Sequence, residues 1–191
     1  MSFILVFELG FWNAWILVIP ILIIMFSDMK ITSNRESGRE GNFKLTKREN
    51  RLTYLVFLFM IISYIYAFFL PLQPEITWLS SGLIIYLFGA VFTIITIKKF
   101  VTTPKDRVIT KGPYRFTRNP MYVGLIMLQL GIGIACSSWL YLLLTVVLMI
   151  LLNANTSGEE RYCHHLYGDD FQKYKNSTPR WIGIQKSKEP K

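Results

Sequence analysis

Residues able to do chemistry gather in two segments of the sequence. The first, Asp106 to Gly124, reads D-R-V-I-T-K-G-P-Y-R-F-T-R-N-P-M-Y-V-G. Gly112-Pro113 marks a turn. Asn119-Pro120 predicts a helix start, with Asn119 as the N-cap and Pro120 at the first helical position. Free backbone N–H groups near Met121 and Tyr122 would attract a carboxylate or phosphate, and Arg115 and Arg118 add positive charge. The same residues also suit a capped helix whose Arg and Tyr side chains anchor it at a membrane surface. The second segment, Asn153 to Tyr174, reads N-A-N-T-S-G-E-E-R-Y-C-H-H-L-Y-G-D-D-F-Q-K-Y. If it is helical, Asn155, Glu159, Tyr162 and Leu166 share one face. Gly168 then ends the helix, and Asp169 or Asp170 caps another short one. A carboxylate on that face could grip a cation or orient a polar substrate, or form an ion pair with an arginine such as Arg118. A solvated amphipathic helix is the plain alternative. Glu160 and His164 stand four apart, but the chain has only 2 His, so no metal site is expected.

The elements that must position these residues are membrane helices. The chain has 191 residues, 52% hydrophobic and 17% charged. That charged share is low for a soluble domain, where about a quarter is usual. This balance excludes a disordered chain, a disulfide-rich secreted module and an ordinary soluble enzyme. The 2 cysteines lie in unlike surroundings, Cys136 in an apolar stretch and Cys163 in a polar one, so no disulfide is expected. The N-terminus lacks the basic start and the small-residue cleavage site of a signal peptide.

A membrane crossing takes about 20 apolar residues. Phe3–Phe26, Leu52–Leu70 and Trp78–Ile97 qualify. The apolar block Met121–Leu152 is interrupted at Cys136-Ser137-Ser138-Trp139, which predicts two shorter helices forming a hairpin. The expected fold is therefore all-α: a polytopic membrane protein with five transmembrane helices, the last two a hairpin, and a cytoplasmic cofactor pocket. Within the hairpin, Gln129 is expected to hydrogen-bond a neighbouring helix, and Gly124, Gly131 and Ala135 are spaced for close helix packing.

Net charge is +9, which in a soluble protein would suggest nucleic acid. Here the cations follow the topology instead. Segments 28–51, 98–120 and 153–191 hold seven Lys and Arg each, which accounts for all 21. The positive-inside rule then puts the C-terminus and these segments in the cytoplasm and the N-terminus outside. None of the three segments is long enough to bury a core. An active site must be assembled from them against the helix ends. We read 1–191 as one integral membrane unit, with three helices over 1–97 and the chemistry in 98–182. No Gly-x-Gly-x-x-Gly follows a strand, so any nucleotide-like cofactor is held in a way other than the Rossmann one.

The two segments resemble the membrane-embedded isoprenylcysteine carboxyl methyltransferases and the related phospholipid methyltransferases. The resemblance is carried by Val108-Ile109, Gly112, Tyr114, Arg118-Asn119-Pro120, Tyr122 and Gly124, then by Glu159-Glu160, Tyr167-Gly168, Phe171 and Tyr174. It implies methyl transfer from S-adenosyl-L-methionine to a lipid-like acceptor, in the first instance the carboxylate of an isoprenylated cysteine. It implies cofactor contacts at Asp106, Arg107, Val108, Ile109, Tyr114, Asn119, Pro120, Met121 and Tyr122, and acceptor contacts at Asn155 and Glu159. The size and helix count look like a small prokaryotic member. The partners implied are a lipid or prenylated substrate and membrane lipids, with no nucleic acid and no obligate protein partner. A phospholipid methyltransferase, a membrane reductase of similar fold using NADPH, and a lipid-binding protein without catalysis are the alternatives.

Overall fold

In the computed structural model, residue 10, residues 12–36 and residues 43–183 are described. They form five long helices: α1 Trp15–Glu36, α2 Lys47–Phe68, α3 Ile76–Thr102, α4 Pro120–Ala135 and α5 Trp139–Ser177. The expected first span begins outside the described residues. Four helices, α1, α2, α3 and α5, are long and apolar enough to cross a membrane. Of the five spans expected, these four have the length among the described residues, and α4 is the shorter apolar helix. Helix α4 has 16 residues, so it rises only about 24 Å against a hydrocarbon core of about 30 Å.

The boundaries move for identifiable reasons. The apolar pattern ends the first span at Phe26, yet the helix continues to Glu36. Its last turns are held by Arg35, which is buried and donates to the Phe100 (2.8 Å), Thr103 (2.5 Å) and Pro104 (3.0 Å) carbonyls. These are carbonyls freed at the C-terminal end of α3 and just beyond it, and a cation there also suits the helix dipole. Helix α2 starts earlier than the apolar pattern indicates because Thr46 and Glu49 form a capping box. Its first turn is tied to α5 by Arg161, 2.5 Å from the Glu49 carboxylate.

Helices α3 and α4 run antiparallel at close range. A Cβ on Gly131 would lie 2.7 Å from the Tyr86 backbone nitrogen, and one on Gly89 would lie 3.0 Å from the Leu128 nitrogen. The expected role of Gly124 and Gly131 in close packing is met here. Gln129 accepts a hydrogen bond from the Tyr141 hydroxyl, which ties α4 to α5. The turn between them is built on Ser137, at φ 48°, and on Ser138, whose hydroxyl accepts from the Tyr141 backbone N–H. Gln73 donates to the Ala135 carbonyl, so this turn lies at the same end of the bundle as the α2–α3 connection.

Helix α5 has 39 residues, about 58 Å, and so extends well beyond any crossing. As expected, it is interrupted at Gly168, whose φ of 52° and ψ of −129° are conformations open to glycine. Ile61, Ile65, Ile84, Phe88, Val146 and Ile150 are exposed on the outer faces of α2, α3 and α5. Ile21, Leu128, Ile132, Tyr141, Leu148 and Leu152 fill the interior. An apolar exterior around an apolar interior is what lipid solvation requires. The protein is an integral membrane protein.

Candidate active site

The segment before α4 folds against the far end of α5. Gly112 takes a φ of 68° and opens a short 3-10 turn, Gly112–Arg115, which buries Tyr114 against Phe171 and Tyr174. Burial pushes the Tyr114 phenol well above its usual value, so it stays neutral. The Tyr174 hydroxyl donates to the Tyr114 carbonyl at 2.8 Å. Past Ser177 the chain doubles back over the start of α4. The Arg118 N–H donates to the Pro179 carbonyl at 3.0 Å, and the Thr117 hydroxyl to the Arg180 carbonyl at 3.0 Å. Asn119 occupies the N-cap position, but its side chain does not cap α4 as expected. Its side-chain N–H donates to the Arg180 carbonyl at 3.0 Å, which turns the side chain toward the returning segment.

The adjacent glutamates face different partners. Glu160 is buried and sits 3.0 Å from each of Arg118, Lys175 and Arg180. The ion pair with Arg118 considered for Glu159 thus belongs to Glu160. Three cations around one buried carboxylate join α5, the Arg118 loop and the returning segment.

Glu159 opens onto a cavity of about 870 Å³ lined by α1, α2, α4, α5 and Thr93 of α3. Its walls are apolar, with Ile21, Met25, Val56, Met60, Leu125 and Leu152 among them. Its polar groups are Asp28, Thr32, Ser33, Thr53, Thr93, Tyr122, Asn155 and Glu159. The Tyr122 hydroxyl donates to Glu159, and the Asn155 amide donates to Glu159 at 3.1 Å and to the Tyr122 oxygen at 3.3 Å. The Thr53 hydroxyl shares its proton between the Glu49 carbonyl (3.1 Å) and Asn155 Oδ1 (3.0 Å). This fixes the Asn155 amide with its N–H groups toward the carboxylate. A second cavity of about 540 Å³, lined by Phe43, Lys44, Asn50 and Tyr162, shares Thr53, Asn155 and Glu159 with the first. The Thr53–Asn155–Glu159 group therefore stands where the two cavities meet.

Of the residues singled out in the sequence, Met121, Tyr122, Asn155 and Glu159 come together on the main cavity. Pro120 is buried at the start of α4. Val108 and Ile109 pack with Tyr114 in the separate apolar cluster. Asp106 and Arg107 are exposed and lie 4.0 Å from each other. Asp28, Thr32 and Thr53 were not anticipated. Asp28 and Thr32 have the i, i+4 spacing of one helix face, a signal that the apolar count hides. Thr53 could have been placed by the Thr46–Glu49 capping box, which sets the register of α2.

With this geometry in view, two comparisons bear on the chain. A family profile described as phospholipid methyltransferase matches residues 76–170, about half of the chain, from the start of α3 to just past the Gly168 break. The chain is also 29% identical over 82 residues to the protein-S-isoprenylcysteine O-methyltransferase of Schizosaccharomyces pombe. That match covers 42% of this chain and 35% of the relative, so the chain aligns with about a third of the relative's length. The matched region holds α4, Tyr122, Asn155 and Glu159, the same groups that meet on the cavity. The chain belongs to the membrane methyltransferase family represented by the phospholipid and isoprenylcysteine methyltransferases.

Proposed function

We propose that the protein is an S-adenosyl-L-methionine-dependent methyltransferase acting on a lipid-like acceptor. The observation that carries this reading is the apolar cavity among α1, α2, α4 and α5, with the Tyr122–Asn155–Glu159 network on its wall. Its volume of about 870 Å³ lies in the usual range for ligand sites, roughly 300–1,000 Å³. Family membership supports methyl transfer over reduction by NADPH. By the positive-inside rule, the cation-rich end and the site face the cytoplasm and the N-terminus lies outside.

The cofactor supplies a methyl group on a positively charged sulfur. The residues present suit it in part. The Tyr122 ring lines the cavity, and an aromatic face attracts a cation. Met121 lies beside it on α4. Asp106, Arg107, Val108, Ile109 and Tyr114 lie elsewhere, so we assign cofactor contact in this cavity to Met121 and Tyr122. Asn155, locked by Thr53, orients Glu159, and Glu159 in turn fixes the Tyr122 hydroxyl. Such a network holds reacting groups in one geometry, which is the main requirement for a displacement at carbon. The apolar walls take the acceptor chain and keep water away.

The sequence resemblance names the isoprenylcysteine carboxylate as acceptor. One observation favours the phospholipid alternative: among the described residues lining the main cavity, none is Lys or Arg, so none offers a carboxylate clamp. Isothermal titration of the purified protein tests the overall reading. S-adenosylhomocysteine should bind and NADPH should not, and Tyr122→Ala should weaken binding at least tenfold, about 1.4 kcal/mol. Unchanged titrations with folded Tyr122→Ala would sink the assignment. Transfer of tritiated methyl to N-acetyl farnesylcysteine against phospholipid extracts separates the two acceptors.

A further inference from the structure

Another side of α5 carries a cavity that the methyl-transfer reading does not use. It measures about 300 Å³, and Ser157, Glu160, Arg161, His164, Lys175 and Arg180 are among its walls. It shares no residue with the main cavity, because the step from Glu159 to Glu160 turns the side chain by about 100° around the helix. Its charges do not balance. Glu160 lies 3.0 Å from each of Arg118, Lys175 and Arg180, and Arg161 pairs with Glu49. Four cations thus stand against two carboxylates among the described residues, an excess of two positive charges. Asp169 and Asp170, beyond the Gly168 break, are exposed and line no part of the cavity, and Asp170 pairs with Lys173. The network also has a donor to spare, since the buried Arg118 Nε has no hydrogen-bond partner among the described residues. An excess of charge on a partly buried network is screened less than on an open surface, so it attracts an anion.

The depth of the cavity points to the source of that anion. The apolar run of α5 ends at Leu152, and Ser157 stands about 27 Å along the helix from Trp139. A hydrocarbon core of about 30 Å gives way to headgroups at that level. Arg180 is followed by Trp181, whose indole donates to the Asn153 side chain at 3.0 Å, and by the exposed Ile182. Tryptophan beside an exposed apolar residue suits the membrane–water boundary.

We propose that this cavity binds the headgroup of an anionic membrane lipid, a phosphate monoester, at a site separate from the methyl acceptor. Charge complementarity selects the occupant. A phosphate monoester carries about −1.5 to −2 charges at neutral pH, which matches the excess. Arg180 and Lys175 supply charge-assisted donors, and the Ser157 hydroxyl supplies a neutral one. The acyl chains stay in the leaflet, beside Ile182. The proposal is independent of the reading of the main cavity, with which it shares no residue.

Native mass spectrometry of the full-length protein in a neutral detergent tests it. Dioleoyl phosphatidic acid and dioleoyl phosphatidylcholine share their chains and differ in headgroup charge. Wild type should bind one phosphatidic acid at least tenfold more tightly than phosphatidylcholine. Lys175→Gln should weaken phosphatidic acid about fivefold, the effect of one cation at a membrane surface. Lys175→Glu should bring the two lipids within about threefold of each other. Glu160 keeps Arg118 and Arg180 in both variants, and if melting shows that Lys175→Glu does not fold, Lys175→Gln decides. Lys105→Glu makes the same change of charge at a different cavity and should bind phosphatidic acid as wild type does. Glu159→Gln, on the main cavity, should do so too. Glycerol 3-phosphate, the same anion without chains, should compete at least a hundredfold less well. Equal affinity for the two lipids in wild type, unchanged affinity in Lys175→Gln, or an equal loss in Lys105→Glu would each overturn the proposal. Loss in Glu159→Gln would move the lipid to the main cavity and overturn it too. Competition by glycerol 3-phosphate at the potency of phosphatidic acid would replace the lipid with a soluble phosphate ester. Failure of S-adenosylhomocysteine to bind the same samples would remove methyl transfer and leave the lipid comparison intact.

Discussion

Two neighbouring carboxylates show how much a single residue step decides. Glu159 faces the cavity and receives Tyr122 and Asn155, whereas Glu160 is buried among Arg118, Lys175 and Arg180. Removing one partner of a buried ion pair leaves uncompensated charge, typically about 3–5 kcal/mol. Glu160→Gln is therefore expected to lower the melting temperature and to take cofactor affinity and turnover down together. Glu159→Gln breaks only the positioning network. It should melt near wild type, keep near-normal S-adenosylhomocysteine affinity, and lose about two to four orders of magnitude in turnover, the scale of lost near-attack geometry. Wild-type turnover in a stable Glu159→Gln protein would remove Glu159 from the reaction. The sequence marked both glutamates but could not assign their directions. Successive helical residues point about 100° apart, and only the packing says which direction is buried.

At the scale of elements, the hairpin α4–α5 is held to the bundle chiefly through α3. The contact is backbone to backbone at Gly131 against Tyr86 and Gly82 against Ala135, and Gly124 lies against the Thr93 side chain. A side chain at Gly131 must push the helices apart, and α4 carries Tyr122 into the site. Gly131→Leu is expected to lose at least about 1–3 kcal/mol, the cost of overpacking, and to weaken cofactor binding although position 131 is remote from the cavity. Ile84→Leu, on the exposed face of α3, should stay within about 0.5 kcal/mol of wild type. Denaturant melts with bound and free S-adenosylhomocysteine measure both. Equal stability of Gly131→Leu and wild type would show that α3 and α4 are not packed this closely.

At the scale of the whole molecule, every described Lys and Arg lies toward one end of the bundle. The opposite end holds Asn13, the 70–75 connection and the Ser137-Ser138 turn. The positive-inside rule predicts that Lys173→Cys, in a Cys136→Ala, Cys163→Ala background, reacts with an impermeant maleimide only after cells are permeabilised. Ile76→Cys, exposed at the opposite end, should react in intact cells. The reverse labelling pattern would invert the topology and put the site outside.

Helix existence, the charge asymmetry, the hairpin break at 136–139 and the Gly168 interruption were all legible in the sequence, because each depends on local composition or on one residue's backbone freedom. The Gly124 and Gly131 spacing also read correctly, since small residues at helical intervals have few other uses in a membrane helix. Tertiary structure decided the rest. Arg35 keeps α1 helical past Asp28 by meeting carbonyls from another helix, and that extension brings Asp28 onto the cavity. Asn119 donates its side-chain N–H to the Arg180 carbonyl, 61 residues away, and its side chain accepts no bond from its own helix. Tyr114 turns into an apolar cluster while Tyr122 turns to the cavity, although both belong to one motif. Local sequence sets which groups are able to form a helix or a hydrogen bond. Which partner each group takes depends on distances between segments far apart in the chain, and those distances exist only once the helices have packed.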